Sequence, residues 1–515
     1  MSLSGSVDVA VLGAGHNGLI AAAYLARAGV RTLLFEARAT VGGCASTVEA
    51  VGARVNICNC DHLMVRAMPI AEELELAGHG LRYLDVDPVG VQRFWDGHAP
   101  WVEWHSLDAT VDGLRRTYPG EVDGYRRFVE AARPVAELLV ELAQQPPSPG
   151  AVAGVLGRRP AAARRLWSWS RRSARSLLAD FFGHEALILP ALATGPVVWG
   201  LDGSTPGTGL GALGYALRHL VAMGRPAGGS GGLTEALRRC FEAAGGRVRC
   251  GTPVRSVLLD GRGASAGRVT GVRLGDGEVC EVGAVVVACD PGAIALEGAG
   301  LPARFARTWA PPGRDGYESK VDALLRAAPV YTEAPGGLDA DDTLTPTTFI
   351  LPGLDGLRRA LAASQAGRVG ADPVFFVNVP SALDPTMRSA DGGHVFSLEV
   401  LYTPYDIEGG WGGASEPERW LARFGEWVQP GFAESVVDWR VMTPPSYEQQ
   451  FGMPRGHAAS FSGSPLSALA GRPRHLTRYA TPVGGLFCTG AATFPGAGVW
   501  GASGRNAASV VARSL

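Results

Sequence analysis

The stretch Val7-Asp-Val-Ala-Val-Leu12 runs without a break into Gly13-Ala-Gly15-His-Asn-Gly18 and then into LIAAAYLAR over residues 19–27. A short apolar run, a glycine-rich turn and an Ala/Leu-rich segment predict strand, tight turn and helix, the order a dinucleotide-binding loop requires. The three glycines have separate roles. Gly13 lets the chain turn, Gly15 brings the backbone close to a pyrophosphate, and Gly18 lets the helix pack on the strand. The anion would then sit on the positive end of the helix dipole. After Gly29 a second apolar run, RTLLFE, ends at Glu36, where a carboxylate can accept ribose hydroxyls and would repel a 2′-phosphate. An NADP-type adenosine is therefore disfavoured. The fingerprint occurs once, so no separate nicotinamide domain is expected.

A chain of 515 residues exceeds what one hydrophobic core serves, so two or three domains are expected, with room for a large ligand between them. A net charge of −2 carries no electrostatic footprint for nucleic acid. No apolar run has the length of a spanning helix, and the first residues lead straight into the glycine motif, so a cytoplasmic location is expected. The eight cysteines include no CxxC pair, which argues against a redox dithiol or a structural zinc site. Composition carries no signal about oligomeric state.

Beyond the ribose acid the chain reads Ala37-Arg38-Ala-Thr-Val-Gly42-Gly43-Cys44-Ala45-Ser-Thr. Residues 228–237, GGSGGLTEAL, form a second glycine-rich turn before a helix, followed by short β-branched runs that end in a buried strand at 284–289. Near the C-terminus LFCTGAATFPGAGVWGASGRNAASVV, from residue 486, predicts a strand, a turn at Gly490 and Ala491, the segment Gly498-Val499, and a helix from about Gly501. Together these segments resemble the FAD-dependent amine oxidase and phytoene desaturase-like superfamily, and within it the pyridine nucleotide-disulfide oxidoreductase domain-containing protein 2 group. The segment TPPSYEQQFGMPRGHAASF, from residue 443, matches more loosely.

The resemblance implies an α/β fold: a Rossmann-like FAD-binding domain of the glutathione-reductase type, built from residues 1–62, 225–305 and 455–515. A mixed α+β substrate domain, 63–224 and 306–454, is interleaved with it and carries a helical, lid-like part near 144–182. It implies non-covalent FAD held by Gly13, Gly15, Asn17, Gly18, Glu36, Arg38, Gly42, Gly43, Cys44, Ala45, Val254, Gly490, Ala491, Gly498 and Val499. A helix N-terminus near the flavin would stabilise the negative charge that reduction places there. Cys488 lies in an apolar strand and reads as a buried hydrophobe rather than a covalent flavin link.

The implied activity is removal of a hydride and a proton from a mostly apolar, natural-product-like small molecule, forming a C=C or C=N bond. A flavin amine oxidase is the alternative, and a non-redox FAD-dependent isomerase or FAD-binding module is a further one. Three residues stand out as candidates for chemistry. Lys320 is the only lysine among 47 basic residues, on an expected strand, GYESKVDALL, where the superfamily often places a lysine against the flavin. An ammonium is compact and can lose a proton, whereas a guanidinium stays charged. Asp61 and His62, in NICNCDH, are candidate proton-handling groups, and no metal is expected because nothing downstream completes a ligand set. The Arg/Trp-rich segment 161–182 reads as a solvated basic helix, with peripheral contact to an anionic membrane as the other possibility.

Overall fold

The computed structural model describes residues 7–515 except for 59, 262–266, 299–300, 302, 310–313, 337, 339, 458–469 and 472. The last residues of the loosely matching segment that begins at 443 therefore lie outside the described residues.

One sheet is built on the nucleotide loop. Val7–Leu12 pairs in parallel with Thr32–Phe35 on one side and with Val279–Val287 on the other, and Leu486–Cys488 adds to the far edge of Val279–Val287. Arg247–Arg249 extends the sheet beside Thr32–Phe35. The strand Val279–Val287 serves two layers. Its first half alternates exposed and buried residues and pairs antiparallel with Arg268–Leu274, while residues 284–287 are buried on both faces. The all-apolar half was readable as a buried strand and the alternating half was not, because alternation belongs to a strand with one wet face. Helices His16–Arg27, Gly231–Ala243 and Ala502–Ala512 cover this sheet, with Leu19, Ile20, Leu237 and Val511 among the residues buried there.

A second, seven-stranded sheet runs in the order Val436–Met442, Glu318–Leu325, His394–Leu401, Val374–Asn378, Thr347–Leu351, Gly90–Phe94, Trp101–Glu103. Its central strands are buried throughout, because helices pack on both faces. On one face lie Leu107–Thr117, Val122–Ala143 and Glu185–Ala193; on the other lies Glu416–Gly425. Within the helical, lid-like part expected near 144–182, the Pro/Gly-rich beginning contains the helix Pro149–Arg158, capped by the Ser148 side chain accepting from the Ala151 N–H. Serine at the cap followed by proline in the first turn is a helix start, which outweighed the glycines. In the next helix, Pro160–Trp169, Trp169 is buried and Trp167 is exposed. Arg158, Arg159 and Arg172 are each ion-paired to a carboxylate of the same helical layer. Among the described residues, no helix is long and apolar enough to cross a membrane.

Candidate active site

The nucleotide loop closes on itself through contacts that only glycine allows. A Cβ on Gly18 would lie 2.0 Å from the Gly13 carbonyl oxygen, so the first helix can meet the strand only if residue 18 has no side chain. A Cβ on Gly15 would meet nothing within 4 Å, since that residue faces open space. Glu36, at the end of the second strand, is held from behind: its Oε2 accepts the Ala14 N–H at 2.7 Å and its Oε1 accepts the Arg38 N–H at 2.9 Å. A carboxylate fixed this way has its remaining lone pairs for a ligand.

The open space is a cavity of about 740 Å³ between the two sheets. Of the fifteen residues expected to contact a cofactor, all but Gly18 and Gly42 line it. Those two stand behind the wall, and a Cβ on Gly42 would run into Ser46 and Thr234. The Arg38 guanidinium stacks 4.4 Å from the centre of the Phe451 ring, which closes the wall near Glu36. At the C-terminal segment, Gly490 N–H donates to Ser503 Oγ at 3.0 Å, and Thr489 Oγ1 lies 2.6 Å from the same atom. This buried hydroxyl cluster ties the Gly490 turn to the start of the helix Ala502–Ala512. Gly504 of that helix packs against the first helix, where a Cβ would sit 2.3 Å from the Asn17 carbonyl. Cys488 is fully buried in its strand and is not part of the cavity wall.

The second sheet contributes Glu318 and Glu399 to the wall, with Tyr317 beside them in sequence, and Cys58, Trp199, Met453 and His457 line the same cavity. Sequence reasoning had missed most of this set. Tyr317 and His457 meet edge to face with ring centres 5.5 Å apart. Burial pushes both carboxyls up: Glu399 to about 7, with Lys320 opposing the rise, and Glu318 well above the usual range, with Glu399 and Cys58 adding to it. The period of two along a strand places Glu318 on the face of Lys320, a signal that could have found it. His16 of the nucleotide loop also lines the cavity, and burial pushes its imidazole down to about 4, so it is neutral at physiological pH.

Lys320 sits behind this wall at 2% exposure. Its ammonium donates to the Asn56 carbonyl at 2.8 Å and pairs with Asp322, which also accepts from Arg440 Nη2 at 2.9 Å. A compact cation fits between a carbonyl and a carboxylate whose other oxygen is already taken by a guanidinium, and this suits lysine better than arginine. Lys320→Met should lower unfolding stability by about 3 kcal/mol, at the low end for a broken buried pair because Asp322 keeps Arg440. Chemical denaturation measures it, and a loss below about 1 kcal/mol would contradict this structural role.

Asp61 and His62 are engaged outside the cavity wall. Asp61 Oδ1 accepts from Arg225 Nε at 2.5 Å and its other oxygen accepts from the Thr347 hydroxyl. Burial alone would raise the Asp61 carboxyl, but the Arg225 charge and these hydrogen bonds outweigh it and hold it below the usual range. His62 joins the Ser230 hydroxyl through Nε2 at 2.7 Å and the Tyr83 hydroxyl through Nδ1 at 3.0 Å, and burial pushes it down to about 3. It buttresses the second glycine turn. Away from the cavity, Asp96, His98 and Glu185 bring three ligand atoms within 4.8 Å of one another, and His98 Nε2 lies 2.9 Å from Glu185 Oε1.

The family model for flavin containing amine oxidoreductase matches residues 18–312. Over nearly the full length of both chains, the protein is 28% identical to pyridine nucleotide-disulfide oxidoreductase domain-containing protein 2 of Mus musculus, covering 99% of this chain and 94% of that one. It is 26% identical to a limonene dehydrogenase subunit from Castellaniella defragrans, with 99% and 95% covered, and 25% identical to the neurosporene-forming phytoene desaturase of Cereibacter sphaeroides, with 96% and 92% covered. Its fold is that of cyclohexylamine oxidase from Brevibacterium oxydans, with a TM-score of 0.60 at 17% identity and 99% of each chain covered. Putrescine oxidase bound to putrescine superposes with a TM-score of 0.59 at 18% identity, covering 99% and 98%. Because the family match takes in more than half of the 515 residues and includes the first helix from Gly18, Glu36 and the second glycine turn, the chain belongs to the flavin containing amine oxidoreductase family and is a flavin-dependent oxidoreductase.

Proposed function

We propose that the cavity binds FAD without a covalent bond and that the enzyme removes a hydride and a proton from a mostly apolar organic substrate, forming a C=C or C=N bond. The observation that carries this reading is the lining of one cavity: it brings together a ribose-type acid, Glu36, the open glycine loop at Gly13 and Gly15, and a set of bulky side chains, Trp199, Tyr317, Met453 and His457. Gly15 leaves room for a pyrophosphate where any side chain would intrude. Bound there, oxidised flavin supplies the two-electron acceptor. The bulky residues of the wall position the substrate and keep water from it, which is the protein's share of such a reaction. Limonene and phytoene, named in two relatives, are apolar hydrocarbons and agree with this wall.

An amine substrate is the second reading, favoured by the carboxyl groups of Glu318 and Glu399 in the cavity wall, whose oxygens could accept hydrogen bonds from an ammonium group. Purified protein should show flavin absorption, and acid precipitation should release all of it as FAD, equally from wild type and Cys488→Ser. Flavin that stays with the precipitate, or FMN in the supernatant, overturns the cofactor assignment. Anaerobic bleaching by limonene but not by cyclohexylamine would support the hydrocarbon reading; the reverse would support the amine.

A further inference from the structure

On the face of the second sheet that meets the cavity, charges are stacked in a short stripe. Glu318, Lys320 and Asp322 alternate along one strand and share that face. Glu399 stands directly opposite Lys320 on the neighbouring strand, and Arg440 stands opposite Asp322 on the other side. Glu318 and Glu399 are thus diagonal neighbours, a separation of roughly 7–8 Å between backbones that two glutamate side chains span easily. Both open onto the cavity. The cations are committed elsewhere: Lys320 to Asp322 and the Asn56 carbonyl, Arg440 to Asp322.

Three acids therefore face two bases. Asp322 takes contacts from both cations, so the glutamates are left with the residual field of Lys320 between them. No hydrogen-bond donor among the described residues reaches either of their carboxylates. The other groups facing them are Cys58, Tyr317, Tyr447 and Asp61, none of which is a cation, and Asp61 is neutralised by its own Arg225. Two like carboxylates in one poorly solvated site cannot both ionise cheaply, and the smallest counter-ion available is a proton.

We propose that Glu318 and Glu399 share one proton and form the proton acceptor for the chemistry in the cavity they line. This rests on the reading that a flavin occupies the cavity and oxidises a substrate there. In the step, one substrate C–H bond breaks with both electrons and its hydrogen leaving to the oxidised flavin. The neighbouring C–H or N–H bond gives its proton to the ionised carboxylate of the pair, and that bond's electrons become the C=C or C=N bond. The pair then holds two protons until one returns to solvent. Burial that lifts Glu399 to about 7 and holds Glu318 well above the usual carboxylate range agrees with one shared proton at neutral pH.

The test is an infrared reduced-minus-oxidised difference spectrum of the holoenzyme at neutral pH, with the flavin reduced anaerobically by whichever of limonene and cyclohexylamine bleaches it, in H2O and D2O. Wild type should gain a carboxylic-acid C=O band that shifts in D2O, and Glu318→Gln and Glu399→Gln should each lose that gain while keeping full flavin content. Glu399→Asp should restore it. No carboxylic-acid gain in wild type, or an unchanged gain in both glutamine variants, overturns the proposal. A wild-type chain that takes up no flavin overturns the cofactor reading instead. The pair is then decided on the apoprotein by a pH titration of the same band: present in wild type and lost in both variants supports it, absent or unchanged overturns it.

Discussion

Gly18→Ala is expected to yield protein with little or no bound flavin and an unfolding free energy lowered by about 3 kcal/mol or more. The added methyl would lie 2.0 Å from the Gly13 carbonyl oxygen, a backbone atom that no rotamer change can move aside. Overpacking of a tight core typically costs about 1–3 kcal/mol, and a backbone collision belongs at the top of that range or beyond it. Gly15→Ala is the control. Its φ of −67° and ψ of 169° suit any residue, and its Cβ would meet no protein atom within 4 Å. The Gly15 variant should therefore unfold like wild type in the flavin-free state and still bind flavin poorly, because the methyl enters the space the ligand needs. Thermal unfolding of both apoproteins, with flavin titrations, separates the two effects. Equal flavin affinity in Gly15→Ala and wild type would show that the loop does not approach the cofactor.

Arg225→Met is expected to cost about 3–5 kcal/mol, the range for leaving one partner of a buried ion pair without the other. Asp61 and Arg225 are 8% and 3% exposed at their side chains, and Arg225 also donates to Asn378 Oδ1 at 2.6 Å. The double variant Asp61→Leu with Arg225→Met should recover most of the loss, since the charge left stranded by the single change is gone. A double variant as unstable as the single one would contradict this account. The pair also sets an acid limit. Asp61 is held below its usual pKa, so its contribution is present above the unfolded value of 3.8 and disappears as pH falls through the lower folded value. Wild type should lose stability below pH 3.8 more steeply than the double variant, as urea midpoints across that range will show.

Much of the fold was legible because its decisive contacts are local in sequence. The strand, turn and helix at residues 7–27 and the acid at Glu36 lie within one short segment, and the physical roles of Gly13, Gly15 and Gly18 follow from spacing alone. The C-terminal turn at Gly490 and the helix after Gly501 were readable for the same reason. The rest of the cavity wall was not. Trp199, Tyr317, Glu399 and His457 come from four segments that only the tertiary fold brings together, and none carries a local motif. Asp61 and His62 drew attention as adjacent polar residues near the flavin segment, but their partners, Arg225, Thr347, Ser230 and Tyr83, are distant in the chain. Lys320 stood out by rarity. Its surroundings explain the choice of residue by fit between Asn56 and Asp322 instead of by exposure to the cavity.

The contact between Gly504 and the first helix has a bearing on how the protein is made. The nucleotide loop leaves the ribosome well before its partners, because the strand Leu486–Cys488 and the helix that flanks Asn17 are synthesised some 470 residues later. Until they arrive, Val279–Val287 has a bare edge and the first helix has one apolar side without its neighbour, surfaces that invite wrong pairing in a waiting chain. Cofactor loading is therefore a late event, and a nascent chain stalled before residue 486 should be a client for chaperones and not a holder of flavin.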